Sequence, residues 1–374
     1  MRTDLGSIDR RVLFMKQFGT MEGPRRTTKG NFLHPLSDIL FLVISAVVSG
    51  ADDWGTIVLF GENQLKWPKK YGGYKNGVPS CDTLKRVFWA LDTKCFNTCF
   101  MDRAKDICEP GAGAVVAVDG KAIRGTKQKK LPHTVSAFAE GNRPTRGQVA
   151  TDEKSDEITA IPQLLGLLDI GGTTLTIDAM GCQREITEKM IDKGADYLLA
   201  VKGNQGSLEE AISDTVRLEV PMDRDVQSDL GHGRIGTGTC WAYDDLSHIG
   251  DGEKWAGPRT LARLEAVRID KKTGKESREQ RMYISSLAAD AKILNERVRK
   301  HWAVENNLHW TLDVLFGEDA SRKRKGNAAE NFNIVLKTAL GLIVRETTLE
   351  KGKKNKRMLA AYDYRHREKL LGLS

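Results

Sequence analysis

The stretch AVVAVDG, Ala114 to Gly120, decides how this chain is read. A run of small and β-branched apolar residues of this length predicts a strand buried on both faces, with Asp119 and Gly120 at its C-terminal end. The same phrase recurs in TTLTIDAMG, Thr173 to Gly181, where Asp178 closes a second buried strand. If the two strands are neighbours, both carboxylates emerge at one edge of a sheet. Two such acids repel unless one is protonated or a cation compensates them. Mg²⁺ is the natural compensator, because it takes oxygen ligands and keeps waters for substrate phosphates. A third carboxylate, from a helix packed on the sheet, would complete a two-ion site for phosphodiester chemistry.

The surrounding sequence supplies the rest of such a sheet. HTVSAFA and RGQVATDE read as two further strands, and DEITAIPQLLGLL as a helix with Pro162 early in it. CQREITEKMIDKG is a helix stopped by Gly194, DYLLAVKG a strand and SLEEAISDTV a helix. The order β-β-β-α-β-α-β-α implies a mixed sheet flanked by helices. From about 216 to 289 the chain turns β-rich and glycine-spaced, and reads as an inserted β subdomain. Residues 1–108 read as helical: Pro35 and Ser37 open one helix, Asp52 or Asp53 a second, and Ser80 caps a third. Three regions follow: a helical part at 1–108, a mixed α/β domain at 109–345, and a basic C-terminal tail at 346–374.

A long helix from Asp290 or Ala291 carries the third candidate acid. In KHWAVENNLHWTLDVLF, Val304, Leu308, Leu312 and Leu315 recur at helical spacing and face a core. Glu305 sits beside that stripe, with His301 and His309 four residues away on either side. Other acids compete for the role. Asp313, Glu318 and Asp319 lie on or just beyond the same helix, and Asp152, Glu153, Asp156 and Glu157 form an acidic cluster ahead of another. Residue types and spacing alone leave that choice open.

Composition narrows the function classes. The net charge is +8, with a pI near 9.0, and basic residues cluster in SRKRKG and KGKKNKR. Beside a site that handles phosphate, such clusters become phosphate-binding candidates. The longest apolar run, Ile39 to Val48, is too short to span a bilayer, and the N-terminus lacks the apolar core of a secretory signal. Cys95, Cys99 and Cys108 have helical spacing with no histidine or fourth cysteine to make a zinc site, which fits reduced thiols in a cytoplasmic protein. Phosphate-cradling glycine loops of the P-loop or dinucleotide kind are absent from the sequence.

Six segments, taken together and in order, carry a resemblance: AVDGKAIRGT, SAFAEGNRPTRGQVATDEKSDEITAIPQLL, TIDAMGCQREI, DYLLAVKGNQGSL, RMYISSLAADA and HWAVENNLHWTLDVLFGEDASRKRKGNAAEN. They resemble the DDE-type insertion-sequence transposases, in the group that includes the H-repeat-associated proteins. HPLSDILFLVISAVVSGADDWGTIVLFG and GVPSCDTLKRVF look like the helical segment that precedes the catalytic domain there. The resemblance covers nearly the whole chain.

It implies a ribonuclease-H-like mixed sheet flanked by helices, with a β-rich insertion before the last acidic helix. It would make the helical part at 1–108 a DNA-binding domain and the domain at 109–345 a catalytic one. It places the catalytic, metal-holding acids at Asp119, Asp178 and Glu305, with Mg²⁺ as the cofactor and Mn²⁺ as its substitute. The implied partner is double-stranded DNA, as terminal inverted repeats and target, held by a dimer with no membrane association. Candidate DNA contacts are Lys121, Arg124, Lys202, Asn204, His301, His309, Arg322 and Arg324. The expected activity is strand cleavage and strand transfer at element ends; the alternatives are a DNA-binding relic without turnover and a nuclease without strand transfer. Two departures matter. Neighbouring groups carry an arginine and a lysine around the third acid, and here those spacings fall on His301 and Leu312. The closer group's usual wording HGRIETR is HGRIGTG here, with Gly236 and Gly238 in place of larger polar residues.

Overall fold

The structure, a computed structural model, describes residues 21, 23–24, 33–107, 113–124, 133–139, 145–151, 157–231, 234–250 and 254–373. Cys108, Asp152, Glu153 and Asp156 lie outside these residues. The strands are β1 (Val115–Ala122), β2 (His133–Ala139), β3 (Thr145–Thr151), β4 (Thr174–Ile177), β5 (Asp196–Val201), β6 (Asp223–Gly231), β7 (Arg234–Tyr243), β8 (Thr260–Asp270) and β9 (Glu276–Ser285). They form one nine-stranded sheet in the order β3-β2-β1-β4-β5-β9-β8-β7-β6. β3, β2 and β1 are an antiparallel meander, and β1, β4 and β5 run parallel. The mixed sheet expected around AVVAVDG is therefore present.

The β-rich stretch continues this sheet rather than making a sheet of its own. β9 pairs antiparallel with β5, and β8, β7 and β6 follow in a meander. β6 completes the edge, a strand that DRDVQSDLG does not announce because its alternation is nearly all polar.

Helices α1 (Leu36–Val48), α2 (Trp54–Gln64), α3 (Cys81–Ala90) and α4 (Thr93–Ile107) make up the N-terminal part. Asp53 opens α2 with a capping box to Thr56, and the Ser80 hydroxyl accepts from the Thr83 amide to cap α3. α1 is apolar on all sides, as only a buried helix can be. Ile39, Leu40, Leu42, Val43 and Ile44 are fully buried, against α10 (Ala328–Arg345) among others. One hydrophobic core joins these helices to β1, β4 and β5 and to α5 (Glu157–Leu167), α6 (Arg184–Asp192) and α7 (Gly206–Leu218). On the extended part of the sheet, Leu294 and Val298 of α8 (Ala291–Val304) pack on Leu198, Cys240, Leu264 and Tyr283.

Two elements depart from their sequence reading. The long acidic helix is not continuous: α8 ends at Val304, Glu305–His309 is a π turn, and α9 (Trp310–Phe316) resumes. The stretch expected as a basic tail folds into α11 (Lys353–Tyr362) and α12 (Tyr364–Leu371). Part of its charge is buried. The Arg357 guanidinium donates to Val47 O and Asp52 Oδ1 and lies 4.2 Å from the Phe316 ring centre. The Lys356 ammonium meets the Glu346 carboxylate at 3.3 Å. A charge run looks solvated in sequence, and a run on a short helix still has one face to bury. Arg357→Ala should lower unfolding free energy by about 3 kcal/mol or more, because it leaves buried acceptors unpaired. The exposed neighbour Lys354→Ala should be neutral in the same urea titration.

Candidate active site

The register of two parallel strands builds the site. Val118 of β1 lies beside Ile177 of β4, so Asp119 and Asp178, one residue on, stand side by side where the pairing of these strands ends. β1 itself runs on to Ala122 against β2, with Asp119 opposite Ser136. Asp119 is thus held within a strand, while Asp178 stands exposed at a strand end, where its side chain accepts the Met180 amide and caps the turn Ala179–Gly181. Gly120 has a steric reason to be glycine: a Cβ there would lie 2.4 Å from Glu157 Oε1.

Asp119 is fastened at both oxygens. Oδ1 accepts the Gly120 amide at 2.8 Å, and Oδ2 accepts His309 Nε2–H at 2.9 Å. Burial works against the charged carboxylate, but the hydrogen bond and charge of His309, the nearby His301 and the Gly120 amide outweigh it. Asp119 is held below the ordinary carboxylate range. His301 is bonded through Nδ1 to Thr176 Oγ1 at 3.0 Å, and burial pushes it below the usual histidine value despite the pull of Asp119 and Asp178. Both histidines come from the interrupted helix, and His309 closes the π turn that Glu305 opens. His309, a candidate DNA contact from the sequence, is buried and bonded to Asp119. The Glu305 side chain lies outside the described part.

A cleft of about 150 Å³ opens beside the two aspartates. Lys202, His301, Arg281, Tyr283 and Trp302 are among its lining residues. Lys202 is exposed, and Asn204 Nδ2 donates to Ala179 O at 2.7 Å, tying the loop after β5 to the turn after Asp178. Arg281 lies 3.8 Å from the Trp302 ring centre. Its place in the site escaped the sequence reading, although RMYIS alternates and puts Arg281 and Tyr283 on one face.

The other candidate contacts are placed differently. Arg124, Arg322 and Arg324 are exposed and do not line the cleft. Lys121 is engaged within the protein, 2.6 Å from Asp313 Oδ1 and 2.6 Å from Glu318 Oε2. Burial disfavours its charge, but Glu318 and Asp313 more than compensate and raise its proton affinity. Asp313, Glu318 and Asp319, the competing acids, do cluster closely enough to share a cation. Lys121 already answers two of them, so their spacing has an explanation without a metal.

Behind this cluster lies the buried Lys337 of α10. Its ammonium donates to Ser136 Oγ at 2.7 Å and Gln148 Oε1 at 2.6 Å. Ser136 stands opposite Asp119 and Gln148 opposite Ser136, so the three side chains form one cross-strand row. Burial pushes Lys337 down to about 7, with Glu318 pulling it up and Lys121 pressing it further down.

The chain matches the model "Transposase DDE domain" over residues 110–342 and "DDE_Tnp_1-associated" over 15–103. It is 42% identical over 353 residues to "Putative transposase YncI" of Escherichia coli O157:H7, covering 92% of this chain and 90% of that one. It is 39% identical to "H repeat-associated putative transposase YhhI" of Escherichia coli K12, over 88% of this chain and 90% of that one. In fold it is similar to piggyBac transposase, solved in a synaptic complex with hairpin DNA, with a TM-score of 0.50 over 97% of this chain and 81% of that one at 12% identity. The fold is the ribonuclease-H-like α/β fold of the DDE enzymes. The chain belongs to the DDE transposases, in the group that includes the H-repeat-associated proteins.

Two predictions follow from the buried charges. Lys121→Gln should leave the slope of log K against log salt for DNA binding unchanged, whereas a lysine on phosphate would reduce it by about 1. Lys337 gives a pH signature. Below about pH 7 it is protonated folded and unfolded; between there and its ordinary value of 10.5 only the unfolded chain keeps the proton. Stability should therefore rise with pH across that window, by on the order of 4 kcal/mol for this group. Urea titrations of Lys337→Met should lack that rise.

Proposed function

We propose that this transposase catalyses divalent-metal-dependent cleavage and strand transfer at the ends of an insertion sequence. The observation that carries the reading is the β1/β4 register, which sets Asp119 beside Asp178, with His309 of the Glu305-bearing segment bonded to Asp119. Two adjacent carboxylates are hard oxygen donors, and a ligating carboxylate is itself held by hydrogen bonds from outer groups, as Asp119 is by His309 and the Gly120 amide. The donor set fits Mg²⁺, held by Asp119, Asp178 and Glu305, with Mn²⁺ able to replace it. When bound, the metal supplies Lewis-acid stabilisation of charge on the attacking and leaving oxygens.

The chain's own groups do the positioning. His309 and the Gly120 amide hold Asp119 ionised and still. His301, bonded to Thr176, walls the cleft. Lys202 stands at the rim, where its ammonium can meet a neighbouring phosphate. Cleavage replaces the P–O bond at the element end with one to a water oxygen and frees a 3′-hydroxyl. Strand transfer repeats the displacement with that hydroxyl at a target phosphate. Terminal-repeat recognition falls to the helical part at 1–108, with the exposed Arg322 and Arg324 adding salt-sensitive affinity. Pairing two ends calls for a dimer on DNA.

The test uses supercoiled plasmid carrying candidate element ends, in Mg²⁺ or EDTA. Glu305→Gln should cut end nicking at least about a hundredfold, the upper range for losing even a supporting partner, while end binding persists. Joined products distinguish a transposase from a nuclease. Tight end binding with no scission in Mg²⁺ or Mn²⁺ would leave a DNA-binding relic.

A further inference from the structure

A cleft larger than the one beside the aspartates adjoins it. A groove of about 600 Å³ runs between the outer strands β7, β8 and β9 and the side of α8. Arg281, Tyr283, Val298 and Trp302 line both clefts, so the groove is continuous with the acidic site. Its floor is made of very small residues. Gly236 and Gly238 of β7 lie beside Arg268 and Ala266 of β8, and all four line it. These are the two glycines that replace larger polar residues of the group's usual wording. Side chains there would fill the space: a Cβ at 238 would come 3.3 Å from Asn295 Oδ1, and one at 236 would come 2.9 Å from Asp229 Oδ1.

Four arginines edge this floor. Arg299 is paired with Asp229, and Arg281 with Glu279 at 2.5 Å. Arg268 has no hydrogen bond or ion pair among the described residues, and Arg234, also exposed, meets the charge of Asp270 across the strands. Asn295 is fully buried, and its Oδ1 accepts no hydrogen bond from the described residues, although its amide donates to Asp225 and Gly238. Guanidinium edges and a partly exposed tryptophan beside a small-residue floor are what a single nucleic-acid strand meets in a binding channel. The volume is that of a small-ligand cleft, enough for a short run of one strand.

We infer that this groove binds single-stranded DNA leading away from the scissile phosphate, with backbone phosphates on Arg234 and Arg268 and bases over the Gly236–Gly238 floor toward Trp302. The ligand class rests on the transposase reading above; the groove, its continuity with the aspartates and its floor do not. The two glycines then make room for substrate in this chain.

The test is fluorescence anisotropy on the full chain, with a labelled single-stranded oligothymidylate of about ten nucleotides and a duplex of the same length. Arg234→Glu with Arg268→Glu changes only exposed positions. It should weaken single-strand binding at least tenfold, lower the salt slope by about 1.4, two phosphates' worth for single strands, and leave duplex binding within twofold. Gly238→Phe should block the strand as strongly, with its circular dichroism and unfolding midpoint used to check the fold. Absence of single-strand binding by the unaltered protein, or equal loss on duplex, would overturn the groove. Should the protein fail to cut plasmid yet lose single-strand binding in these variants, the groove stands and the catalytic reading falls. Unaltered binding in the variants of a protein that does cut would give the reverse.

Discussion

Two carboxylates forced together at the ends of parallel strands are the constraint on which the rest of this structure turns. Asp119 and Asp178 cannot avoid each other once Val118 and Ile177 are paired. Their mutual repulsion has to be managed by what surrounds them. The protein manages it on one side with histidines: His309 bonds one acid, and the buried ring of His301 sits near both. That arrangement holds Asp119 below the ordinary carboxylate range beside Asp178.

The contrast with the neighbouring acids makes the point. Asp313 and Glu318 are as close to each other as metal ligands would be, but the Lys121 ammonium lies 2.6 Å from each. Here one internal ammonium is shared by the pair. Lys121 and Asp119 are two residues apart on one strand and face the same way. One position carries the cation that closes an acidic cluster, and the other the acid left open to one. Lys121 thereby cross-links β1 to the helix beyond the π turn, while His309 does so from the turn itself. The segment bearing Glu305 is pinned to the strand bearing Asp119 at two points, which is how a π turn, inherently looser than an α turn, keeps a defined position.

Much of this was legible in sequence. The strands ending in Asp119 and Asp178 announce themselves because burial on both faces demands uninterrupted apolar residues. The caps at Asp53 and Ser80 are equally local signals. What escaped had non-local causes. The π turn depends on how His309 meets Asp119 across 190 residues, and no spacing along one helix contains that. β6 is an edge strand whose outward positions need no apolar pattern. The burial of Arg357 depends on Val47 and Asp52, some 300 residues upstream. Lys121 followed an acid in a strand and read as a phosphate contact, because its partners on α9 and beyond it were invisible until the sheet and helix were brought together.

Gly236 and Gly238 show the same limit in a sharper form. In the sequence they are losses, an acid and a cation missing from a familiar phrase. In the sheet they lie on the face that α8 leaves partly uncovered, between β6 and β8, and each missing side chain becomes room. Whether a missing side chain is decay or a shaped surface depends on what stands around it. A vacancy walled by apolar residues would collapse or remain an unused gap. This one is edged by arginines and opens onto the cleft beside the two aspartates, so the two missing side chains leave room next to charged groups. The two glycines thus weigh less on the side of decay than their wording in sequence does.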